Sequence, residues 1–263
     1  MIDLVMWTLN GEETLDQSLS SIDRNIPESE VCHRLIIDGG STDSTSSIAE
    51  KHGWKIIRSA RGIANQANEA LSRVDTEHYA SFEQDILLSH QWFNKITKLA
   101  SQDDVAVAQG IRFAVGSPTM GAVDRENFAR TIERGPLASI DNTLCRTSII
   151  RGVGGYRTSP DPRKGVDSLL VESIGNTRYR WVIDQTCVSG HLRPSLAYHL
   201  RHSLQGYQLR LWQLETTRDH FRLFGTSPFR GAELSAKYHS PQILLGYPIL
   251  RWAALLAGLS PRA

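Results

Sequence analysis

The stretch that decides the fold is Asp38-Gly39-Gly40-Ser41-Thr42-Asp43, which follows the apolar run Leu35-Ile36-Ile37. The segment after it, Ser44 to His52, has the pattern of a helix. A carboxylate that ends a buried strand lies at the carboxyl edge of a sheet, where open α/β sheets bind ligands. The glycines let the backbone approach a ligand, and a hydroxyl can cap the next helix. The same residues also fit an ordinary strand–turn–helix junction.

Apolar runs alternate with helical patterns through the first third of the chain. Further runs occur at Asp3 to Trp7, Trp54 to Ile57 and His78 to Phe82, and Val105 to Val107 indicates another strand. Such alternation is typical of βαβ units. We therefore predict an α/β fold with a mostly parallel central sheet that is flanked by helices.

The 263 residues of the chain are enough for one α/β domain with an appendage, or for two small domains. The three cysteines are scattered and odd in number, which favours a reducing compartment without a disulfide framework. The first strand begins directly after Met1, so we expect no signal peptide and a cytoplasmic location. No G-x-G-x-x-G loop follows that strand, which argues against a hydride-transfer enzyme. We also expect no nucleic-acid partner.

The charge of the chain is divided unevenly. Residues 193–263 hold nine Lys or Arg and three acids, a net charge of +6, whereas residues 1–192 carry −5. A basic end of a near-neutral protein suggests contact with an anionic surface.

The C-terminal part has two helical patterns. One apolar face is formed by Leu196, Leu200, Leu204, Tyr207, Leu211 and Leu214. We expect Gly225 to Pro228 to interrupt the helical pattern. The mostly apolar run Ile243 to Leu259 contains a proline and an arginine and is shorter than the roughly 20 residues of a bilayer span. We interpret it as an interfacial or packed helix. Both helices could instead simply cover the core.

Six motifs follow one another in the chain. They are Thr8 to Leu15, Arg61 to Asn68, Glu83-Gln84-Asp85, Gly154-Gly155-Tyr156, Asp167 and His191. Together with the opening stretch, they resemble a family 2 glycosyltransferase with the GT-A type nucleotide-sugar fold, over about Asp3 to His191. The resemblance implies a Rossmann-like catalytic domain at 1–193, with a nucleotide-binding half at 1–90 and an acceptor half at 91–193. A helical extension with amphipathic helices would occupy 194–263.

The resemblance assigns five residues to the nucleotide. Thr8, Asn10 and Glu12 would line the base and ribose, and Asp38 would accept a hydrogen bond from a base N–H. Asn68 would place a polar side chain near the nucleotide. Glu12 could instead be a favourable charge at a helix N-terminus, and Asn68 could lie on a solvated helix face.

A metal site follows from the resemblance as well. The family's usual Asp-x-Asp motif is replaced here by Glu83-Gln84-Asp85. Asp85 keeps the carboxylate most directly suited to a metal, while Glu83 would face the ribose or a metal-bound water. His191 matches the family's later histidine. The implied cofactor is a divalent metal, Mn²⁺ or Mg²⁺, which neutralises charge on the leaving diphosphate.

The catalytic base implied by the resemblance is Asp167. The family commonly has Glu-Asp at this point, and Val166 replaces the glutamate. Asp167 could also serve as a helix N-cap. In the loop before it, three basic residues could bind a diphosphate or a lipid phosphate, or could be solvated: Arg157, Arg163 and Lys164.

The predicted activity is inverting transfer of a sugar from a UDP- or GDP-sugar donor to an acceptor. The basic tail favours a lipid-linked glycan or a polyprenyl phosphate, with peripheral contact at the inner face of the membrane. A sugar hydroxyl needs a base and a phosphate does not, so Asp167 favours the hydroxyl. A nucleotidyltransferase is less consistent, because Thr8 to Glu13 has one glycine and no basic residue. The altered Glu83-Gln84-Asp85 motif and Val166 leave a non-catalytic nucleotide-sugar-binding module at a membrane as the alternative.

Overall fold

The computed structural model describes residues 1–132, 138–161, 164–195 and 217–259. The chain forms two compact units. The sheet unit comprises Met1–Arg112 and Pro136–His191, and the helical unit comprises Phe113–Gly135 and Leu192–Ala263. The predicted leucine stripe at 196–214 and Arg163 lie outside the described residues.

Eight strands of the described residues form one sheet. They are β1 Ile2–Thr8, β2 Val31–Asp38, β3 Lys55–Arg58, β4 His78–Glu83, β5 Ile86–Leu87, β6 Val105–Val115, β7 Thr143–Arg146 and β8 Arg180–Leu192. Their order across the sheet is β3-β2-β1-β4-β7-β6-β8-β5.

The first four strands are parallel, as the alternating pattern predicts. β1 lies between β2 and β4, and β2 also pairs with β3. The later pairs β4–β7, β6–β7 and β5–β8 are antiparallel. In the parallel part, Thr8 pairs with Asp38 and Trp7 with Glu83, so three polar side chains meet at the carboxyl edge. The strand order reverses direction at β1, and such a switch point is where α/β sheets bind ligands.

Helices connect the strands. They are α1 Leu15–Asn25, α2 Thr45–Lys51, α3 Ile63–Arg73, α4 Trp92–Ala100, α5 Pro118–Ile132, α6 Thr147–Gly152, α7 Val166–Gly175, α8 Thr217–Lys237 and α9 Gln242–Leu259. β1 is buried along its whole length. Its alternate residues serve two cores, because successive side chains of a strand point to opposite faces. Leu4 and Met6 belong to the core that includes α1, and Val5 and Trp7 to the core that includes α3.

The helical unit packs α5, α8 and α9 around two small apolar clusters. One cluster contains Met120, Leu250 and Leu255, and the other contains Leu234 and Ile243. No helix in the described parts of the chain is both long and apolar enough to cross a lipid bilayer.

α8 continues through Gly225 to Pro228, contrary to the expected interruption. Proline lacks an N–H and leaves the carbonyl four residues before it without its helical partner. That carbonyl belongs to Phe224, and it accepts a hydrogen bond of 3.1 Å from Trp252 Nε1 on α9. The partner from α9 compensates the loss, so the helix is not interrupted.

A brace joins α3 to the Gly154-Gly155-Tyr156 loop in the sheet unit. Asn68 Nδ2 donates to the Tyr156 carbonyl at 2.7 Å, and its Oδ1 accepts from the Tyr156 N–H at 2.9 Å. Gly155 has φ +69°, and a Cβ there would lie 2.6 Å from Asn68 Oδ1. Gly155 is therefore required by both backbone conformation and close packing.

Replacing Gly155 by alanine tests this brace. We expect the free energy of unfolding to fall by about 2–4 kcal/mol, because backbone strain and overpacking each contribute about 1–3 kcal/mol. Gly154 is the matched control, since it has φ +87° but no atom within 4 Å of an added Cβ. Gly154→Ala should cost about 1 kcal/mol. Equal losses for the two variants in urea unfolding would contradict the brace.

Candidate active site

Asp38 ends β2 in a buried, polar pocket. Ser41 N–H lies 3.1 Å from each carboxylate oxygen, and the Ser41 hydroxyl also donates to Oδ1. Arg58 Nη1 lies 2.8 Å from Oδ2, and Thr8 Oγ1 lies 3.5 Å from Oδ1. Gly40, with φ +99°, allows the chain to turn back so that Ser41 can reach the carboxylate. The two predicted nucleotide residues Thr8 and Asp38 are thus neighbours at the carboxyl edge.

The loop after β1 is tied to the loop after β2. Asn10 has φ +50°, its N–H donates to Ser41 Oγ at 2.8 Å, and its Oδ1 accepts from the Thr42 N–H at 2.9 Å. Glu12 accepts from the Ser44 N–H at 3.3 Å, where α2 begins. Asn10 therefore lies beside the Asp38 pocket. The contact of Glu12 fits the alternative interpretation, in which Glu12 is a favourable charge at a helix N-terminus.

The side chain of Asn68 has a structural partner, because it is bonded to the backbone of Tyr156. Both polar groups of its amide are bonded to the Tyr156 backbone. These contacts hold α3 against the glycine loop, and they give its predicted role toward a nucleotide no direct support.

Gln84, the middle residue of the acidic motif, is bonded to the loop after β1. Gln84 Oε1 accepts from the Leu9 N–H at 2.8 Å, and Gln84 Nε2 donates to the Leu9 carbonyl at 3.3 Å. Gln84 thereby holds the loop that carries Asn10.

The acidic residues of the same motif meet His191. His191 Nε2 lies 3.2 Å from Asp85 Oδ2 and 3.9 Å from Glu83 Oε2. One ligand atom from each of the three residues lies within 4.8 Å of the others. The antiparallel pairing of β5 with β8 sets His191 opposite Ile86 and so beside Asp85.

This group of side chains fits a divalent cation. Bonds of roughly 2 Å place the ligands of one ion about 3–4 Å apart, which matches these separations. Two carboxylates and an imidazole suit Mn²⁺, and carboxylates also suit Mg²⁺. A second set of possible metal ligands, Asp3 with Cys32 and His33, lies where β1 begins. There, Asp3 already accepts hydrogen bonds from the backbone of Asp75 and Thr76, and His33 Nδ1 lies 2.8 Å from it.

Two residues of the site were not found from the sequence, Arg112 and Asp141. Arg112 Nη1 donates to Glu83 Oε2 at 2.7 Å and makes a close ion pair with Asp141 Oδ2. Asp141 Oδ1 accepts from the Glu83 N–H at 2.7 Å, which closes a ring of three residues. Arg112 lies 29 residues from both Glu83 and Asp141 along the chain. Neither Arg112 nor Asp141 belongs to a motif, so no local signal marked them.

Among the residues that the structure describes, carboxylates outnumber cations around this ring. Four of them, those of Glu83, Asp85, Asp141 and Asp167, interact electrostatically with the guanidinium of Arg112. Burial, reinforced by Glu83 and Asp85, raises the pKa of Asp141 to about 7, although Arg112 opposes the shift. Burial and the charge of Glu83 raise the pKa of Asp167 to about 6. A bound cation would relieve this excess.

Asp167 lies in the first turn of α7, within electrostatic range of Glu83 and Arg112. The N-cap position is occupied by Gly165, so capping is not the role of Asp167 in this structure. Val166, which stands where the family commonly has an acid, packs against the second core cluster.

Two of the three basic residues named for the loop before α7, Arg157 and Lys164, have partners in α7. Arg157 Nη2 donates to Ser173 Oγ at 2.5 Å, and Lys164 Nζ donates to Glu172 at 3.1 Å. In this structure these contacts connect the loop to the helix.

Replacing Arg112 by methionine tests the ring. The variant leaves Glu83 and Asp141 without their cation. Breaking a buried pair costs about 3–5 kcal/mol, and we expect about 2–4 kcal/mol because Arg112 is 23% exposed. Arg180→Met is the matched control, since its ion pair with Asp104 is exposed and should contribute under about 1 kcal/mol. Similar small losses for both variants in denaturant unfolding would show that the ring does not stabilise the fold.

The sequence model of the family described as Glycosyl transferase family 2 matches residues 3–155, more than half of the chain. No curated protein matches the sequence closely enough to count as a relative.

Solved structures resemble this chain at low sequence identity. Mannosyltransferase PcManGT from Pyrobaculum calidifontis, in complex with GDP-Man and Mn²⁺, has a TM-score of 0.64 and 15% identity, over 98% of this chain and 86% of that chain. S. aureus TarS 1-349, in complex with UDP-GlcNAc, has a TM-score of 0.58 and 12% sequence identity, over 98% of this chain and 89% of that chain. Glucosyl-3-phosphoglycerate synthase from Mycobacterium tuberculosis, in complex with Mn²⁺, UDP and glucosyl-3-phosphoglycerate, has a TM-score of 0.56 and 16% sequence identity. The match covers 80% of this chain and 78% of that chain.

These likenesses confirm the predicted α/β fold of GT-A type. Together with the family match over residues 3–155, they show that the chain is a glycosyltransferase and belongs to glycosyl transferase family 2.

Proposed function

We propose that this glycosyltransferase moves a sugar from a nucleoside diphosphate donor to an acceptor, with inversion at the anomeric carbon and with the help of a divalent cation. The observation that carries the proposal is the meeting of Glu83, Asp85 and His191 within 4.8 Å. Glu83 ends β4, and β4 and β2 flank β1, so this cluster and the Asp38 pocket share the carboxyl edge.

The donor nucleotide is assigned to the loops after β1 and β2. The buried carboxylate of Asp38 can accept an N–H of uracil or guanine, and Thr8 and Asn10 lie beside it. The similar structures contain UDP, UDP-GlcNAc or GDP-Man. A UDP- or a GDP-sugar is therefore the proposed donor. Glu12 and Asn68 take secondary positions, because Glu12 accepts a hydrogen bond where α2 begins and both polar groups of the Asn68 amide are bonded to the Tyr156 backbone.

The cation is assigned to Asp85 and His191, with Glu83 as the third group. When bound, it would neutralise charge on the diphosphate as the glycosidic bond breaks. Arg112 orients Glu83 toward this cluster and keeps one positive charge beside it. Mn²⁺ or Mg²⁺ suits these ligands.

Asp167 is assigned as the general base. The acceptor hydroxyl oxygen forms a bond to the anomeric carbon, the bond from that carbon to the diphosphate oxygen breaks, and Asp167 receives the hydroxyl proton. A base works best with a pKa near the operating pH, and burial raises the pKa of Asp167 to about 6. The nucleoside diphosphate leaves with the electron pair of the broken bond.

The proposed acceptor is a hydroxyl of a lipid-linked glycan, with a polyprenyl phosphate as the other choice. Residues 193–263 carry a net charge of +6, which favours peripheral contact with the cytoplasmic face of an anionic membrane. A phosphate is already an anion and would need no base, so the raised pKa of Asp167 supports the hydroxyl.

Asp85→Asn tests the cation site and the proposed function. We expect the affinity for Mn²⁺ in calorimetry to fall at least roughly 100-fold, since even outer partners of a metal commonly contribute 10–100-fold. Metal-dependent hydrolysis of donor in a panel of nucleotide sugars should be lost as well. Asp103→Asn, an exposed acid of the same unit, should change neither. A wild-type protein that binds Mn²⁺ and donor without any turnover would instead favour the non-catalytic module.

Asp167→Asn tests the base. Transfer should fall by about 10²–10⁴-fold while donor binding is kept. A base must be deprotonated, so the wild-type rate should rise with pH through about 6, and the variant should lack this rise. Glu172→Gln is the control, since that exposed acid on α7 pairs with Lys164. Unchanged transfer in Asp167→Asn would point to a phosphate acceptor.

A further inference from the structure

An exposed apolar surface lies on α8 and α9. Among the described residues, ten large apolar side chains are exposed, and six of them belong to these two helices. The six are Phe221, Phe224, Phe229, Leu244, Leu245 and Ile249. This concentration within two adjacent helices differs from single exposed apolar residues, which are normal on protein surfaces.

α9 has two apolar sides, and the helical unit covers one of them. Ile243 and Leu250 are buried in the two small clusters. Leu245, Ile249 and Trp252 follow the spacing i, i+4 and i+7, which places them on one face. Leu245 and Ile249 are exposed, and Trp252 is partly buried. Within the described part of the helical unit this second apolar side stays exposed, which favours a partner that covers it.

The exposed face continues from α9 onto α8. The rings of Phe224 and Trp252 stack with centroids 5.1 Å apart and planes at 30°. Trp252 Nε1 donates a hydrogen bond to the Phe224 carbonyl, so the polar group of the indole is already satisfied within the protein. Phe221 lies one turn before Phe224. We call Phe221, Phe224, Leu245, Ile249 and Trp252 the aromatic face.

Basic side chains accompany the aromatic face. Arg218 and Arg222 are exposed on the same turn of α8 as Phe221. Farther along α8, Arg230 and Lys237 pair with Glu126 on α5. The sequence of α9 contains no acid. By sequence, α8 carries four basic residues and two acids, Asp219 and Glu233, and α9 carries Arg251, so the two helices that bear the aromatic face have a net charge of +3.

We propose that the aromatic face inserts into the headgroup region of an anionic membrane, with Arg218 and Arg222 contacting lipid phosphates. Aromatic and aliphatic residues with flanking arginines are typical of helices that lie in the membrane interface. A second copy of the chain would bring like charges together, whereas an anionic lipid surface complements them. The inference rests on the proposed lipid-linked acceptor for its biological purpose, and it assigns the residues that meet the lipid.

The composition of α9 agrees with a helix that lies along the membrane surface. Pro248 and Arg251 interrupt its apolar sequence. Burial of the aromatic face adds an apolar contribution to the electrostatic attraction of the basic tail. The two contributions respond differently to salt, because screening weakens charge interactions but leaves apolar burial in place.

Ile249→Ser, alone and combined with Leu245→Ser, tests the insertion. Vesicles of phosphatidylglycerol with phosphatidylcholine should bind the wild type, and each substitution should weaken binding by about tenfold, as expected for apolar groups removed from water. At ~1 M salt, where the Debye length is about 3 Å, part of the wild-type binding should persist and should be lost in the double variant. Ile63→Ser is the matched control, because Ile63 and Ile249 are both 46% exposed and Ile63 lies in the sheet unit.

A second measurement does not depend on the stability of these variants. Vesicles with brominated acyl chains should quench the fluorescence of the wild type, and Trp252→Phe should remove most of that quenching. Phenylalanine lacks the Nε1 donor that bonds the Phe224 carbonyl, so circular dichroism must show that the variant keeps the helix content of the wild type. Unchanged vesicle binding in the double variant, or quenching that does not involve Trp252, would overturn the proposal. So would light scattering that shows a dimer dissolved by Ile249→Ser without any binding to vesicles.

Donor hydrolysis by the same variants separates the two proposals. Leu245, Ile249 and Trp252 belong to the helical unit and not to the site of the sheet unit, so metal-dependent hydrolysis of a water-soluble donor should be unchanged. Loss of vesicle binding with hydrolysis intact supports the aromatic face. Absence of hydrolysis in the wild type would contradict the proposed function and would leave the lipid measurements to be judged by themselves.

Discussion

The ion pairs of Arg112 are the interaction on which the candidate site depends. Two unit charges 4 Å apart interact by about 4 kcal/mol at the effective dielectric near a protein surface, so adjacent carboxylates cannot be gathered without compensation. Arg112 supplies it by contacting Glu83 and Asp141 at once, while Asp141 also accepts the Glu83 N–H. The ring joins β4, β6 and the segment before β7, so the parallel and antiparallel parts of the sheet are fastened at the point where the acids meet. Burial first, and then the neighbouring charge of Glu83, raise the pKa of Asp141 and of Asp167, so each carboxyl keeps its proton to higher pH than usual although Arg112 opposes the shift.

The loops at the carboxyl edge are held by side chains that hydrogen-bond to backbone. Gln84 bonds both polar groups of Leu9, and Gln66 Nε2 donates to the carbonyls of Thr8 and Ile37 at 2.8 Å each. Asn68 does the same for Tyr156. Such bonds position the loops before any donor binds, and preorganised groups need less rearrangement during reaction. Gln84 and Asn68, which belong to the sequence motifs, therefore support the site through their bonds to neighbouring loops.

The helical unit shows how a sequence can satisfy one apolar face and leave another exposed. α8 and α9 approach closely at Gly231, where an added Cβ would lie 2.9 Å from the Leu244 carbonyl. The prolines inside both helices would ordinarily interrupt them. In α8, the side chain of Trp252 replaces the missing helical hydrogen bond at Phe224, so the tryptophan that stabilises the pair also forms part of the aromatic face.

The sequence by itself determined the parallel βαβ half, because strand and helix periodicity are local and the acidic turn after β2 has few alternative conformations. Asp38, Asp85 and His191 could be predicted as site residues, because the motifs that contain them follow one another in the order of the family. Only the tertiary structure decided that Arg112 and Asp141 complete the acidic cluster, since those contacts join strands distant in the chain and depend on antiparallel pairing that carries no local signal. Likewise, Asn68 and Gln84 are polar residues whose partners are backbone groups of other loops, and a sequence does not reveal such partners. The continuity of α8 through Pro228 was also a tertiary outcome, because the hydrogen bond that permits it comes from a side chain on another helix.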